Sequence, residues 1–395
     1  MAAYWSQQVA RRLIASVCGQ NGHQKFSFQR NGQFLKHMLK FYQRCVTSNL
    51  GTPGRLQITK SRLTFSLAIG TTGFCYGFLG LNFGKPEKKD SDPLLHVFQE
   101  AKEAQIRQDF TSAEIKYHDA LKVAEEMLKH KKIAQKTYIY AKTAIYDSLA
   151  DLALASGKLE NAEHLYKETM KGCLQQGLTK DSNAMVELSI KLSSIYAMQN
   201  RTEEAEQGLQ YCIQVQDIKL TKDVADASNS SAVSETTAIL DVETEEYEKQ
   251  DTEALLGMAL ETYGRFLMGQ RRLDEAVVAL HRATAIAEGV LGENSGQYLV
   301  LLNDLATAHI LQKHFDTALK VLNKAITLGS KNNSRELPAL YCNLGAVFLR
   351  TSKIDAAAEA CTKGQKLANE KHDSLALGMA KNCLMKIEQV RKTPR

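Results

Sequence analysis

Proline and tryptophan are scarce in this chain of 395 residues, which contains five prolines and one tryptophan. Because proline interrupts the interior of helices and strands, its scarcity leaves long stretches free to form regular structure. From residue 94 onward Ala, Leu, Lys, Glu and Gln dominate, and these residues lose little entropy in a helix. With 44% hydrophobic residues the chain can bury a sizeable core. We therefore predict an all-α body.

Acidic residues are absent before Glu87, although eleven Lys and Arg occur there. The net charge of +6 is therefore concentrated in an N-terminal arm, since the rest of the chain has 39 basic and 44 acidic residues, a net charge of −5. A nucleic-acid-binding surface would need a basic patch on the folded body. The body is mildly acidic, so nucleic acid is not an expected partner.

The arm itself, residues 1–62, is rich in Arg, Lys, Ser, Thr and Gln, which is typical of a mitochondrial presequence. Its opening stretch places Trp5, Val9, Leu13 and Val17 at near-helical spacing, with Arg11 and Arg12 off that line. A disordered basic tail on a cytosolic protein is the alternative. A secretory signal fits less well, because no apolar core lies near the start of the chain.

The following stretch, residues 63–84, contains no charged residue and is followed by a charged linker over residues 85–93. Its length suits a helix that crosses about 30 Å of hydrocarbon, so we predict a single transmembrane helix, with a buried soluble helix as the alternative. Five glycines share one face of this helix and allow close packing of a partner helix in lipid. They are Gly70, Gly73, Gly77, Gly80 and Gly84.

Six segments after residue 94 share one template, in which a helix, a turn and a second helix follow one another. The second helix has an alanine near its start, at Ala113, Ala162, Ala205, Ala276, Ala318 and Ala357. Four residues further on stand Tyr117, Tyr166, Leu209, Leu280, Leu322 and Cys361. The first helix has a small residue at Ala101, Ala150, Ser193, Gly264, Ala306 and Gly345. Small residues in register let two antiparallel helices approach closely, which is the tetratricopeptide repeat pattern.

The repeat spacing predicts the architecture of residues 94–395. Successive alanines are 49, 43, 71, 42 and 39 residues apart, against a usual repeat of 34, so the helices are extended. The longest spacing contains an acidic, Ser- and Thr-rich insertion at about 221–250, whose centre we predict to be a flexible loop. We predict an all-α tetratricopeptide-repeat superhelix of about six hairpins, capped by a helix over 374–391 and preceded by the transmembrane helix.

Motifs of catalytic or metal sites are missing from the sequence: HExxH, the phosphate-binding loop and GxSxG do not occur. The eight cysteines form no CxxC pair, and we predict that they are free thiols that fill gaps in the core. They are Cys18, Cys45, Cys75, Cys173, Cys212, Cys342, Cys361 and Cys383. We therefore predict no enzymatic activity, no cofactor and no metal.

Two blocks, GKLENAEHLYKETM and NAMVELSIKLSSIYAMQNRTEEAE, make residues 94–395 resemble the mitochondrial tetratricopeptide repeat protein 19 family. The resemblance implies a non-enzymatic factor of the mitochondrial inner membrane that binds respiratory complex III, the cytochrome bc1 complex. It further implies support for the assembly and turnover of the Rieske iron–sulfur subunit, including removal of its processing fragments. The partners implied are complex III subunits and inner-membrane lipid, and no catalytic residue or cofactor is carried over.

In this family the first helix of each hairpin lines a groove, and the register places nine residues there. They are Asp147, Asp151, Glu187, Ile190, Met198, Glu261, Met268, Asn303 and Ile310. Acidic and apolar side chains together suggest a groove for a basic or amphipathic segment. Ordinary solvated helix faces are the alternative.

Two function classes follow: a membrane-anchored complex III assembly factor, and a tetratricopeptide-repeat cargo or chaperone adaptor in the cytosol or on another membrane. In the first class the N-side flank of the span is the more positive, which favours the matrix for the N-terminus and the intermembrane space for the repeats. Location of the repeats in the matrix is the alternative.

Overall fold

The computed structural model describes residues 93–229 and 238–392, with the side chains of 222–247 excepted. This part of the chain contains thirteen α-helices and no strand. Within it, no helix is both long and apolar enough to cross a membrane. The predicted presequence, the predicted transmembrane helix with its five glycines, and linker residues 85–92 lie outside the described residues.

The described chain divides into two compact units, with the boundary between Arg201 and Thr202. The first unit contains α1 (Pro93–Ile106), α2 (Phe110–Lys129), α3 (Gln135–Ala155), α4 (Leu159–Gln175) and α5 (Asn183–Met198). The second contains α6 (Thr202–Asn229), α7 (Ala238–Gly269), α8 (Leu273–Leu291), α9 (Gly296–Leu311), α10 (Phe315–Lys331), α11 (Leu337–Arg350), α12 (Ile354–Glu370) and α13 (Ser374–Lys392).

Five of the six predicted hairpins lie within one unit. The first unit contains the pairs α1/α2 and α3/α4, and the second contains α7/α8, α9/α10 and α11/α12. The helices of the remaining repeat, α5 and α6, fall on opposite sides of the unit boundary. The all-helical repeat architecture is therefore confirmed in each unit.

The predicted repeat register is also confirmed, because all six alanines and all six residues four positions later are fully buried, with 0% exposure. Close helix packing explains the small residues. At Gly264 an added Cβ would lie 2.6 Å from Cγ of Leu280, the large residue of the same hairpin. A larger side chain at such a position would force the two helices apart.

The turns between paired helices share one backbone conformation. Five residues before each repeat alanine stands a residue with φ between +59° and +73°, in the left-handed region. These residues are Gln108, Gly157, Asn200, Arg271, Lys313 and Ser352. Two backbone hydrogen bonds close each turn; in the second hairpin Gly157 donates to the Leu154 carbonyl and Lys158 to the Ala153 carbonyl. This is the Schellman ending, which satisfies carbonyls at the end of the first helix.

Each unit has its own core. In the first unit the rings of Phe98 and Tyr117 meet edge to face with centroids 5.7 Å apart, and Tyr166 is fully buried between α3 and α5. In the second unit Leu280 and Leu322 belong to one apolar cluster that extends from α7 to α12. Burial of these faces supplies the main stabilisation of the hairpins.

Helix extends into both ends of the segment 221–250 that we expected to be an insertion. The first part, up to Asn229, belongs to α6, and the part from Ala238 belongs to α7. The centre of the segment, residues 230–237, lies outside the described residues, so its flexibility stays a prediction. The long repeat spacing thus arises partly from two helices of 28 and 32 residues.

The prediction that every cysteine is a free thiol is wrong for two of them, because Cys361 and Cys383 form a disulfide. The pair is 22 residues apart in sequence, so it forms no local motif, but α12 and the capping helix α13 bring its Cα atoms within 6.2 Å. Cys173, Cys212 and Cys342 are buried thiols outside any disulfide, as predicted. The remaining three, Cys18, Cys45 and Cys75, lie outside the described residues.

Candidate functional site

The nine residues predicted to line a groove all lie on first helices of hairpins, namely α3, α5, α7 and α9. Six of them are buried: Asp147, Asp151, Glu187, Ile190, Glu261 and Ile310. The other three, Met198, Met268 and Asn303, are half-buried. The structure therefore places these residues on the expected helices but leaves few of them accessible.

In the first unit a buried lysine gathers three of the predicted carboxylates. Lys191 Nζ of α5 lies 3.6 Å from Asp147 Oδ1, 3.3 Å from Asp151 Oδ1 and 3.2 Å from Glu187 Oε1. The Tyr166 hydroxyl donates a hydrogen bond of 2.5 Å to Asp151. The Lys191 side chain is only 4% exposed. We call these five residues the Lys191 cluster.

The electrostatics of the Lys191 cluster follow from burial and from the excess of carboxylates. Burial raises the pKa of Asp151, and the nearby Lys191 opposes this rise without cancelling it. Burial alone would lower the pKa of Lys191, but Asp147, Asp151 and Glu187 outweigh it and hold that pKa well above its ordinary value. Lys191 is therefore charged at neutral pH. Its ammonium is the cation that the three carboxylates contact.

A second, partly buried network lies in the other unit. Arg265 of α7 contacts Glu261 Oε1 at 2.7 Å through a terminal nitrogen and donates from Nε to Asp304 Oδ2 at 2.6 Å. Gln297 donates to the other Glu261 oxygen at 2.5 Å. Burial raises the pKa of Glu261 and of Asp304, and Arg265 opposes both shifts. We call these four residues the Arg265 cluster.

The other residues predicted to line the groove also form hydrogen bonds or packing contacts within their own units. Asn303 accepts a hydrogen bond of 2.8 Å from the Asn343 amide. Ile310 belongs to the core of the second unit, and the half-buried Met268 packs against it. Met198 packs against the core formed by α3, α4 and α5. Their side chains thus contribute to packing rather than to an open apolar surface.

The four carboxylates predicted to line an acidic groove for a basic partner therefore contact basic side chains of this chain. Their positive partners are Lys191 and Arg265, four residues beyond Glu187 and Glu261 on the same helices. Glutamate and a basic residue at this spacing are neighbours on one helix face. These two spacings were visible in the sequence and could have indicated internal ion pairs.

The structure also shows a cleft that sequence reasoning missed. It has a volume of about 350 Å³ and lies between α3 and α4. Tyr138, Lys142 and Tyr146 line it from α3 at a spacing of four residues, with Glu168 and Lys171 on α4. We call it the tyrosine–lysine cleft. The spacing Tyr-x₃-Lys-x₃-Tyr is the sequence signal that could have found it.

Lys142 gives the tyrosine–lysine cleft its binding chemistry. Its Nζ lies 5.2 Å from the ring centroid of Tyr146. Burial would lower the pKa of Lys142, but Tyr146, Tyr138 and Glu125 outweigh this effect and raise that pKa. Burial raises the pKa of Tyr138, Lys142 opposes the rise, and Glu125, to which the phenol is hydrogen-bonded, adds to it. Two rings flanking a cation can accept an acidic side chain together with its apolar neighbours.

The described part of the chain holds no group of three His, Cys, Asp or Glu side chains that could bind a metal ion. In the Lys191 and Arg265 clusters the carboxylates form ion pairs with basic side chains of the same unit. The tyrosine–lysine cleft, by contrast, is lined by half-buried polar side chains, among them Tyr138, Lys142 and Tyr146.

Comparison with known proteins gives three consistent findings. The family model described as tetratricopeptide repeat matches residues 255–331. Tetratricopeptide repeat protein 19, mitochondrial, of Rattus norvegicus is 33% identical over 284 residues, which cover 72% of this chain and 72% of that protein. The protein of the same name from Homo sapiens is also 33% identical over 284 residues, covering 72% and 69% respectively.

Among solved structures, aspartyl phosphate phosphatase F from Bacillus subtilis matches with a TM-score of 0.50 and 14% identity. The match covers 75% of this chain and 70% of that protein. At this identity the likeness concerns the fold alone.

Proposed function

The chain belongs to the tetratricopeptide repeat protein 19 family, and from this premise we propose that it is a non-enzymatic scaffold of mitochondria. In this proposal it supports the assembly and maintenance of respiratory complex III. It acts through the Rieske iron–sulfur subunit and helps to clear that subunit's processing fragments. The observation that carries the proposal is the 33% identity over 284 residues to relatives named mitochondrial.

A mitochondrial location is supported by two independent features. The relatives from rat, human and mouse all carry the word mitochondrial in their names. In addition, the first 86 residues contain eleven basic residues and no acidic one, which is the composition of an import presequence. The membrane potential of the inner membrane favours inward transfer of such a positive segment.

We further propose that residues 63–84 anchor the chain in the inner membrane, with the repeats in the intermembrane space. The absence of charge over this stretch and its positive N-side flank support the proposal. The five-glycine face is proposed to pack against a transmembrane helix of the partner.

For the contact between the repeats and the partner protein, we propose the tyrosine–lysine cleft in place of the buried carboxylates. Aromatic side chains supply much of the energy of protein interfaces, and Tyr138 and Tyr146 present two rings beside the Lys142 ammonium. An acidic residue of the partner would replace the ring contact of Lys142 by a charge-assisted hydrogen bond.

Co-purification from mitochondria solubilised in mild detergent tests the proposal. The tagged full chain should recover complex III subunits, including the Rieske protein, above an untagged sample. Recovery at the untagged level would overturn the assignment to complex III and favour a cargo or chaperone adaptor. Fractionation with a carbonate wash on the same sample tests the anchor, because an integral protein stays in the pellet.

The contact surface is tested in the same experiment with matched variants. Lys142→Ala combined with Tyr146→Ala should lower the recovery of complex III several-fold, because both the cation and one aromatic wall are lost. Lys122→Ala removes an exposed lysine of α2 that pairs with Asp119 at 3.1 Å, and should leave recovery unchanged. Equal recovery with the double variant and wild type would exclude the tyrosine–lysine cleft as the contact.

A further inference from the structure

We infer that Cys361 and Cys383 are an oxidative modification site, at which a disulfide-carrying thiol oxidoreductase of an oxidising compartment introduces the bond before the capping helix closes. The two residues belong to α12 and α13, and their Cα atoms lie 6.2 Å apart. The inference goes beyond the proposed scaffold function, and it bears on that proposal only through the compartment in which the repeats fold.

The bond is enclosed by three helices. Cys361 is 0% exposed and Cys383 is 8% exposed. Gly345 of α11 lies against both sulfurs: an added Cβ there would collide with Cys361 Sγ and would lie 3.3 Å from Cys383 Sγ. An oxidant of protein size cannot reach sulfurs in this position. Oxidation must therefore precede the docking of α13, and the docked helix then shields the bond from reductants.

The chemistry is a thiol–disulfide exchange in two steps. The thiolate of one cysteine attacks a sulfur of the oxidant's disulfide, which forms a mixed disulfide and releases one thiolate of the oxidant. The thiolate of the second cysteine then attacks the mixed disulfide at the first cysteine's sulfur and releases the oxidant's other thiolate. The chain loses two electrons and two protons, and the oxidant gains them as a dithiol.

A third cysteine, Cys342, does not attack the bond once α13 has docked. Cys342 of α11 is buried, and its Sγ lies 3.6 Å from the Ala376 carbonyl oxygen of α13. Burial raises the pKa of the Cys342 thiol to about 12, so the reactive thiolate is almost absent at neutral pH. The Cys361–Cys383 pairing is therefore not reshuffled by its neighbour once formed.

The consequence is a covalent closure of the last repeat. The capping helix α13 covers the preceding hairpin with Ala376, Ala380 and Ile387, which is a small apolar face for a terminal helix. The disulfide limits how far this helix can open. Reducing compartments keep protein thiols reduced, so a bonded pair would indicate that the repeats fold in an oxidising one.

Thiol trapping of the full chain in intact mitochondria tests the inference. Acid quenching, blocking with N-ethylmaleimide, reduction and labelling with maleimide–polyethylene glycol should reveal two thiols that become reactive only after reduction. Cys361→Ser or Cys383→Ser should abolish this pair of labels, whereas Cys342→Ser should retain it. Labelling of both cysteines without reduction would overturn the inference.

The order of events is tested with wild-type protein alone. In millimolar glutathione the folded chain should lose its disulfide at least tenfold more slowly than the chain in denaturant. Equal rates would contradict the enclosure of the bond.

The test of the disulfide is separable from the test of the proposed function. Free thiols with normal complex III recovery would refute only the disulfide inference, and a bonded pair without complex III recovery would refute only the proposed partner.

Discussion

Replacing Lys191 by methionine perturbs the Lys191 cluster most directly. Methionine keeps the length of the side chain but removes the ammonium that lies 3.2–3.6 Å from three carboxylates. Removal of one partner from a buried ion pair typically costs about 3–5 kcal/mol, because the remaining charge is left uncompensated. In a unit of roughly 100 residues, where 1 kcal/mol corresponds to about 4–8 °C, the melting temperature should fall by roughly 12 °C or more.

The effect of Lys191→Met should depend on pH. Burial raises the pKa of Asp151 in the folded state, so the native protein binds a proton more readily there than the unfolded chain. The contribution of this group to stability is present below the unfolded pKa and is lost as the pH rises through the folded one. Without Lys191 that pKa rises further. The deficit of the variant should therefore be smaller at pH 5 than at pH 7.

Circular dichroism melts of the full chain in detergent at both pH values provide the assay. Lys122→Met is the matched control, because Lys122 is 72% exposed and pairs with Asp119 on the surface. It should change the stability by less than about 1 kcal/mol. Identical melts for the two variants would show that the Lys191 cluster is not buried, and its carboxylates would again be candidates for a basic partner.

Three further predictions concern packing, turns and the anchor. Ala318→Leu should overpack a fully buried helix contact and lower the free energy of unfolding by about 1–3 kcal/mol, measured by chemical denaturation. The same change at its exposed neighbour, Thr317→Leu, should be nearly neutral. Gly157→Ala should cost about 1 kcal/mol in the same measurement, since φ is +73° with no atom nearby, and an unchanged midpoint would refute the turn assignment. Gly73→Leu with Gly77→Leu should keep the chain in carbonate-washed membranes yet reduce complex III recovery; full recovery would make the span a simple tether.

The repeat register was predictable because the packing constraint is local. A small residue is needed where two antiparallel helices cross, and this requirement recurs with every hairpin, as at Ala162 and Ala318. The shared left-handed turn was less visible, because only Gly157 among the six turn residues is a glycine. The hydrogen bonds that close each turn hold the other five side-chain types in the same conformation.

The partners of the predicted carboxylates were harder to predict, because some of the ion pairs join helices that are distant in sequence. Asp147 and Lys191 are 44 residues apart, and only the packing of α3 against α5 shows that they share one cluster. The disulfide between Cys361 and Cys383 was missed for the same reason. Sequence spacing identifies which helix a residue occupies and which face it shares, whereas the contacts between helices decide its partner.

We propose that the chain maintains complex III through the Rieske subunit. The most direct test of this proposal is immunoblotting of Rieske processing fragments in mitochondria that lack the chain, before and after the full chain is restored. We expect fragments to accumulate in its absence and to fall to the control level on restoration. Fragment levels that stay the same in all three samples would contradict the proposed function.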